Sequence, residues 1–417
     1  MIKYIGKDFK RGGVRMPDFK MTLSEDVLFI LGRMRERGYE AHVVGGSVRD
    51  SYLGREMGDV DIATSALPEE TKAVFSDLKT VDTGIKHGTV TLVLDGTPYE
   101  ITTYRVDGDY KDNRHPEEVT FASRIEDDLS RRDFTVNAMA YNDESGLVDP
   151  FGGRDDAKRR LIRAVGDARV RFDEDALRIL RALRFASVLG FDIEDATSAA
   201  IREQARLLVN ISKERIYTEL KKLIMGADAL KILSSYPEVF SLILGGMAVG
   251  VTPNPTRYEQ ADFYTRLASL FYLNSATPAE LCESVLSELK TDKFTRTHTT
   301  AVLSVYNSVV FDNERDILLA LYRHGREVVE GTLSLGALLG RFSCADSERY
   351  TAALDSGVPY AVSALAVRGG DVASLGYRGE KIGEMLDKLL LAVIDGSVVN
   401  KKTALIEYIV SGITRSN

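Results

Sequence analysis

The sequence predicts an α+β protein, with a small mixed sheet and its helices near the N-terminus and a remainder built from helices alone. Three observations predict it. Strand-like runs, AHVV at 41–44, DVDI at 59–62, TVTLVL at 89–94 and YEITTY at 99–104, all lie early in the chain. From Leu161 onward strand signals nearly vanish and helical periodicity takes over. Between the two regimes sits a turn cluster, Asp149-Pro150-Phe151-Gly152-Gly153, read as the junction.

Bulk properties narrow the class. The chain has 417 residues, 44% hydrophobic and 28% charged, enough for several domains of ordinary water-soluble composition. Its net charge of −8 argues against nonspecific coating of nucleic acid, although a polyanion needs only a local basic surface. The two cysteines, Cys282 and Cys344, are far apart and lack metal-ligand spacing, which speaks against a disulfide framework or a zinc site. The first residues lack the apolar core of a signal peptide and no run approaches a membrane span, so a cytoplasmic protein is expected.

In chain order, Met1 to Met21 reads as a loosely held polar arm. Thr22-Leu23-Ser24-Glu25 fits a capping box, with Val27, Leu28, Leu31 and Met34 at helical spacing behind it. The strand Ala41–Val44 breaks at Gly45-Gly46 into Ser47-Val48-Arg49-Asp50, with Gly54 as the helix stop. Such a turn can offer backbone N–H groups, a hydroxyl and a guanidinium to an anion. Next come Asp59 and Asp61, which a strand would send to one face, an arrangement suited to a hard divalent cation such as Mg²⁺. A short helix opens at Pro68-Glu69-Glu70. The runs 89–94 and 99–104 then form a hairpin around Asp95-Gly96-Thr97-Pro98. Glu100 is either a solvated charge or a third carboxylate beside the first two.

Residues 106–124 are polar and aperiodic, as functional loops of this length tend to be. The segment 126–141 reads as an amphipathic helix start that places Asp133 and Asn137 one turn apart. Their carboxylate and amide suit a ribose hydroxyl, and Arg131 and Arg132 suit phosphate; solvent-facing charge is the plain alternative. The span 172–189 reads as one helix with Glu174 and Asp175 in its first turn and Arg178 on the same face. An ordinary salt bridge would account for it. A sharper reading follows from base chemistry: cytosine and adenine both present an amino donor next to a ring-nitrogen acceptor, whereas uracil and guanine present a carbonyl beside a ring N–H. A carboxylate with a guanidinium would accept the first pair and reject the second, with no template. Further on, Ser212 is a plausible N-cap with Met225-Gly226 as the stop, and Thr252-Pro253-Asn254-Pro255 is a clear break.

Several strings in this order carry a resemblance. GGSVRD at 45–50, then LG, then DVDIAT at 59–64, resembles the head signature of the class II tRNA nucleotidyltransferase and bacterial poly(A) polymerase family, within the polymerase-β-like nucleotidyltransferases. The segment E-x-T-T-x-R from Glu100, the string RRDFTVNAMA from Arg131 and the string E-D-x-x-R from Glu174 are similar to further motifs of that family. Arg105, Asp107, Gly108, Tyr110, Asp112, Arg114 and Pro116 resemble the mobile loop of its CCA-adding members, and Thr83 to Thr89 resembles their version rather than the poly(A) polymerase one. GEKIGEMLDKLLLAVIDGSVVN at 379–400 resembles the family's tail segment, with Tyr377-Arg378 where a proline is common.

The resemblance implies a polymerase-β-like head at 1–152, a nucleotide-selecting helical neck at 153–226, a helical body at 227–343 and a tRNA-binding helical tail at 344–417. It implies catalysis by Asp59, Asp61 and Glu100, with Mg²⁺ on Asp59 and Asp61. Gly45, Gly46, Ser47 and Arg49 would hold the triphosphate, Arg131 phosphate, Asp133 and Asn137 the ribose, and Asp175 and Arg178 the base with Glu174 in support, while Arg181 and Arg184 would face phosphate or RNA. The expected reaction is addition of C, C and A to the 3′ end of tRNA from CTP and ATP, with no stable protein partner. Addition of the terminal A alone, poly(A) synthesis, a catalytically silent RNA-binding protein and a small-molecule nucleotidyltransferase are the alternatives. The five histidines form no His-Asp cluster, so the metal-dependent phosphohydrolase activity of some relatives is not expected.

Overall fold

The structure, a computed structural model, describes residues 19–85, 88–107 and 119–415. The chain forms two compact units, Met1–Ile211 and Ser212–Asn417. The first holds the expected head and most of the expected neck.

In the first unit, helix α1 (Glu25–Glu36) precedes strand β1 (Ala41–Val44), helix α2 (Gly46–Tyr52), strand β2 (Asp61–Thr64) and helix α3 (Pro68–Val74). Strands β3 (Lys79–Gly84), β4 (Thr89–Leu94) and β5 (Thr97–Thr103) follow. A small ladder comes next, β6 (Arg105–Asp107) with β7 (Val119–Phe121), and then helix α4 (Ile125–Ser130), strands β8 (Ala140–Asn142) and β9 (Gly146–Val148) and helix α5 (Gly153–Arg159). Strand β10 (Leu161–Ile162), helices α6 (Ala168–Glu174) and α7 (Leu177–Leu189), strand β11 (Asp192–Ile193) and helix α8 (Asp195–Gln204) complete it. Among the described residues the main sheet has seven strands in the order β3-β4-β5-β2-β1-β8-β9. Its β2–β5 pair is parallel, and the other pairs in this sheet are antiparallel.

Register divides the sheet into two chemically different faces, because directly paired residues point the same way and neighbours along a strand point oppositely. Val43 pairs with Ile62 and Tyr141, and Ile62 with Ile101, so these form one apolar face. Val27, Ile30, Leu31 and Met34 of α1 and Val74 of α3 join that core. Val44 pairs with Asp61 and Ala140, and Asp61 with Glu100, so the acids share the opposite face. Val44, Ala63 and Ala140 bury a second, smaller core there with Ile125 and Leu129 of α4.

Several elements differ from the sequence expectation. Helix α1 is capped by Ser24, whose hydroxyl accepts from the Val27 N–H at 3.3 Å, rather than starting at Thr22. This start puts Glu25 and Asp26 in the first turn, where acids favour the helix dipole. The β4–β5 turn tightens to Asp95-Gly96, both with positive φ (47° and 86°), as the hand of a two-residue hairpin requires. Strands β3, β8 and β9 were not legible, and the polar loop expected at 106–124 is entered and left through the β6–β7 ladder. The loop residues Gly108, Tyr110, Asp112, Arg114 and Pro116 lie outside the described residues, as does His87. Two further corrections bear on the site. The segment 126–141 is not one helix, because α4 ends at Ser130 and a 3₁₀ turn (Thr135–Asn137) leads into β8. The span 172–189 is also broken, with Asp175 in extended conformation (φ −139°, ψ 102°) between α6 and α7. Beyond Leu161, β10 and β11 pair in parallel, a short exception to the all-helical expectation.

The second unit is helical. Helix α9 (Lys213–Ile224) follows Ser212 as N-cap and ends at Met225, as the sequence indicated. Helices α10 (Ala229–Ser235), α11 (Pro237–Ile243), α12 (Pro255–Gln260), α13 (Phe263–Asn274), α14 (Pro278–Glu288) and α15 (Lys293–Val305) come next. The starts of α13 and α15 repeat one device: Asp262 and Asp292 each cap the N–H of a threonine three residues on, at 3.0 and 2.8 Å. Buried Arg266 donates to the carbonyls of Ile224, Glu259 and Ala261, which clips α9 to α13. Helices α16 (Glu314–His324), α17 (Arg326–Leu339), α18 (Cys344–Asp355), α19 (Gly369–Ser374), α20 (Glu380–Ile394) and α21 (Lys402–Arg415) enclose a core that includes Ile317, Val329, Tyr350, Leu389, Val393 and Leu405. No helix among the described residues is long and apolar enough to cross a membrane.

Candidate active site

The site is assembled from the first unit, beginning where β1 ends. Gly45 takes a φ of 75°, which lets the chain turn from β1 into α2, and a Cβ there would lie 2.9 Å from an Nη of Arg132. The glycine therefore serves both the turn and the close approach of a guanidinium. Two donors expected to face an anion are used to brace this turn. The Gly45 N–H donates to the carbonyl of Met139 at 3.1 Å, and the Ser47 hydroxyl donates to the carbonyl of Asp59 at 2.8 Å. Ser47 thus fixes the backbone just before β2.

Strand β2 starts at Asp61, so Asp59 stands ahead of the strand rather than within it. The three acids nonetheless form one electrostatic group. Asp61 and Glu100 are direct partners across the parallel β2–β5 pair. The Asp61 carboxyl is pushed above its ordinary range by burial, then by Glu100 and Asp59, with Arg132 pulling the other way. All three acids are exposed as whole residues, and it is the Asp61 carboxyl that neighbouring atoms partly enclose. An oxygen-rich donor set with mutual repulsion fits a hard divalent cation, which would relieve the repulsion directly. Among the described residues, no group of three or more His, Cys, Asp or Glu side chains is placed to hold a metal ion together, so protein ligation here would rest on fewer side chains.

Behind the acids lies a wall of paired guanidiniums. Asp128, 1% exposed, receives Arg131 on Oδ1 (2.7 Å from Nη2) and Arg132 on Oδ2 (3.0 Å from Nη2). Burial opposes its ionisation, but Arg132 and Arg131 outweigh burial and hold its pKa below the ordinary range. Arg49 reaches Asp50 through Nε and Nη2 at 2.9 and 2.8 Å and donates to Asn137 Oδ1 at 2.5 Å. Asn137 in turn donates to Asp133 Oδ1 at 3.0 Å, and Arg181 donates to Asp133 Oδ2 from Nε at 2.7 Å. The Asp133 carboxyl is held down to about 2: burial works against this, and Arg181 with Asn137 more than offsets it. Asp133 and Asn137 are thus brought together as expected, in a 3₁₀ turn rather than on a helix.

The base-reading candidates sit at the α6–α7 joint. Glu174 bridges Arg171 and Arg178 at 2.5 Å each. Arg178, 8% exposed, also donates to the carbonyls of Arg171 (3.1 Å) and Arg131 (2.9 Å) and contributes to the field on Asp133. Asp175 accepts from the Leu177 N–H at 3.1 Å and so caps α7 across the break. Arg184 lies against the ring of Phe185. One network therefore joins Arg49, Asn137, Asp133, Arg181, Arg178 and the Arg131 carbonyl. Asp128, Asp50, Arg171 and Phe185 belong to it and were missed as site residues. Asp128 was detectable in the sequence, since it stands three and four residues before the arginine pair on the last turn of α4.

Comparison with known proteins bears on this geometry. Residues 41–163 match the poly A polymerase head domain family, and residues 190–235 match a family described as a probable RNA and SrmB-binding site of polymerase A. A CCA-adding enzyme of Geobacillus thermodenitrificans is 52% identical over 225 residues, a stretch covering 54% of this chain and 55% of that relative. The chain thus spans about half the length of this and the other Geobacillus relatives it matches. With a CCA-adding enzyme of Lactobacillus delbrueckii subsp. bulgaricus, identity is 36% over 395 residues, covering 91% of this chain and 96% of the relative. The crystal structure of the Bacillus stearothermophilus CCA-adding enzyme in complex with CTP superposes with a TM-score of 0.77 at 34% identity, covering 94% of this chain and 98% of that one. A Thermotoga maritima CCA-adding enzyme complexed with tRNA shares the fold at 22% identity, with a TM-score of 0.65, over 94% of this chain and 96% of that one. Fold, head motif and near full-length identity agree, and the chain belongs to the CCA-adding enzymes, a family of nucleotidyltransferases.

Proposed function

We propose that this chain adds C, C and A to the 3′ end of tRNA, using CTP twice and ATP once and releasing pyrophosphate at each step. The observation that carries the reading is the pairing of Asp61 with Glu100 on one face of the sheet, with Asp59 close enough just ahead of β2 to act on Asp61 and the Arg132 guanidinium set against them. In support, the Geobacillus, Lactobacillus and Bacillus relatives described above are all CCA-adding enzymes. Asp59 and Asp61 would hold a divalent cation, Mg²⁺ by its preference for carboxylate and phosphate oxygens, with Glu100 supporting Asp61. Bound there, Mg²⁺ supplies an activated RNA 3′-hydroxyl and charge neutralisation for the leaving pyrophosphate.

The chain's own residues do the positioning. Gly45 and Gly46 keep the β1–α2 turn low, and Arg49, Arg132, Arg181 and Arg184 receive the triphosphate. Asp133 and Asn137 take the ribose, with Arg131 locked behind them. Glu174 sets the guanidinium of Arg178, which donates to the ring nitrogen of cytosine or adenine while Asp175 accepts from the exocyclic amine. The carboxylate that would read the base is the one whose Oδ1 accepts from the Leu177 N–H, so selection and the α6–α7 joint are linked. The helical segments 227–343 and 344–417 measure the acceptor end of tRNA by shape and backbone contacts, as duplex RNA is generally read. A cytoplasmic location belongs to the same reading.

The test is incubation of the purified chain with tRNA lacking its last three nucleotides. Labelled CTP alone should add two residues, ATP should enter only after them, and UTP and GTP should stay out. Incorporation of ATP without prior C, or of repeated A, would replace this reading with an A-adding enzyme or a poly(A) polymerase.

A further inference from the structure

One aromatic ring in the arginine wall has no assigned part. Phe185, on α7 and 7% exposed, has three guanidiniums around it: Arg184 at 3.7 Å from the ring centre, Arg49 at 5.2 Å and Arg181 at 5.4 Å. Arg49 comes from α2, whereas Arg181 and Arg184 come from α7, so the ring is where cations from two elements converge. An edge contact with Phe134, centroids 5.9 Å apart and planes at 78°, fixes its orientation. Like charges converge only when something offsets their repulsion. Asp50 does so for Arg49 and Asp133 for Arg181. The negative face of the ring attracts all three, and it does so without occupying their donors.

We propose that Phe185 is a positioning residue that gathers Arg49, Arg181 and Arg184 into a single arrangement facing the triphosphate of the incoming nucleotide. The proposal rests on the reading that these arginines receive the triphosphate. A carboxylate in the same place would pair the guanidiniums and compete with phosphate. An aliphatic side chain would fill the volume and leave the charges to spread. A ring holds the cations without adding an acceptor of its own that competes with the anion. Because phosphate is common to both substrates, the contribution is the same for CTP and ATP.

The test uses the full chain with Phe185→Leu and Phe185→Tyr. KM and kcat are measured separately for CTP and ATP, and inhibition by inorganic triphosphate serves as a probe without a base. Phe185→Leu should raise both KM values about tenfold and weaken triphosphate inhibition to match, with kcat within about threefold; Phe185→Tyr should lie within about twofold of the parent. The inference is overturned by unchanged KM values, by a shift confined to one nucleotide, or by a Tyr variant as impaired as Leu. Should Phe185→Leu fail to melt cooperatively, Phe185→Met takes its place with the same expectation. Arg184→Gln separates the two claims. If it raises KM while Phe185→Leu does not, the arginines bind triphosphate without help from the ring. If neither variant does, the phosphate reading falls and the inference with it.

Discussion

Replacing Asp61 by asparagine should stabilise the metal-free protein while removing its response to Mg²⁺. Asp61 and Glu100 are direct partners on neighbouring strands, and adjacent strands lie about 4.8 Å apart. Two unit charges about 5 Å apart repel by about 0.8 kcal/mol in bulk water and about 3 kcal/mol at an effective dielectric of 20. Both side chains are exposed, which favours the lower end, and Arg132 offsets part of the repulsion. Asp61→Asn in chelator should therefore unfold about 0.5–1.5 kcal/mol later than the parent at pH 7. The pH dependence has a definite sign. Burial, Glu100 and Asp59 raise the folded-state pKa of Asp61 above its ordinary value of 3.8, so the folded protein holds this proton more tightly than the unfolded chain. The ionisation cost develops as pH rises from the unfolded value through the folded one and persists above it, so the advantage of the asparagine variant should close as pH falls below about 4.

Adding Mg²⁺ should then invert the order. A ligand that binds only the folded state at a hundred times its dissociation constant adds about 2.7 kcal/mol, available to the parent and largely denied to the variant. Urea unfolding of both proteins in chelator and in excess MgCl₂ measures all four stabilities. A variant less stable than the parent in chelator would show that the acids do not repel as placed. A parent that gains nothing from Mg²⁺ would remove the cation from Asp61.

Three further outcomes are expected. Asp128→Asn keeps the shape but leaves two guanidiniums short of charge, and it should cost about 2–3 kcal/mol in urea unfolding at pH 7, below the usual range for breaking a buried pair because both arginines retain some water. Since Arg132 and Arg131 hold the Asp128 pKa low against burial, that deficit should fade as pH falls through the folded-state value, and a deficit constant into strong acid would contradict the assignment. In Gly153→Ala the new Cβ would lie 2.0 Å from the Thr135 carbonyl oxygen, so a loss of about 2–4 kcal/mol is expected, and an unchanged urea midpoint would refute the packing of α5 on the 3₁₀ turn. Arg178→Lys loses the fork that reaches Glu174 and two carbonyls at once, and single-nucleotide assays should show UTP incorporation relative to CTP rising at least about tenfold; an unchanged ratio would sink the base-reading role.

The fold was legible where one residue type decides the outcome. Gly45-Gly46 marked the β1–α2 turn, Pro68 the start of α3 and Asp95-Gly96 the hairpin, because each meets a backbone demand that few residues can. Strand β3, with the polar sequence KTVDTG at the sheet edge, gave no alternation to read, and its existence depends on pairing with β4. The arginine wall was half legible. Most of its arginines were named, but Asp50 and Asp128, which pair them, were not, and Phe185 looked like one more apolar position on α7, because nothing local to that helix marks Arg49 of α2 as the third guanidinium around its ring.

The broken helices explain why spacing located contacts even where it misjudged the elements. Residues four apart meet on an α-helix, yet a turn that doubles back brings them together as well. Asp133 and Asn137 bond across a 3₁₀ turn, and Glu174 reaches Arg178 across the α6–α7 joint. Asp175 is the residue for which the distinction matters. On a continuous helix its carboxylate would lie beside Arg178 as a fixed pair, whereas in the structure it caps α7 from an extended residue between two helices. The proposed reader is therefore a guanidinium held by Glu174 and a carboxylate engaged in a backbone cap. A base received by that same carboxylate would link nucleotide recognition to the geometry of the joint, a link that a single uninterrupted helix would not provide.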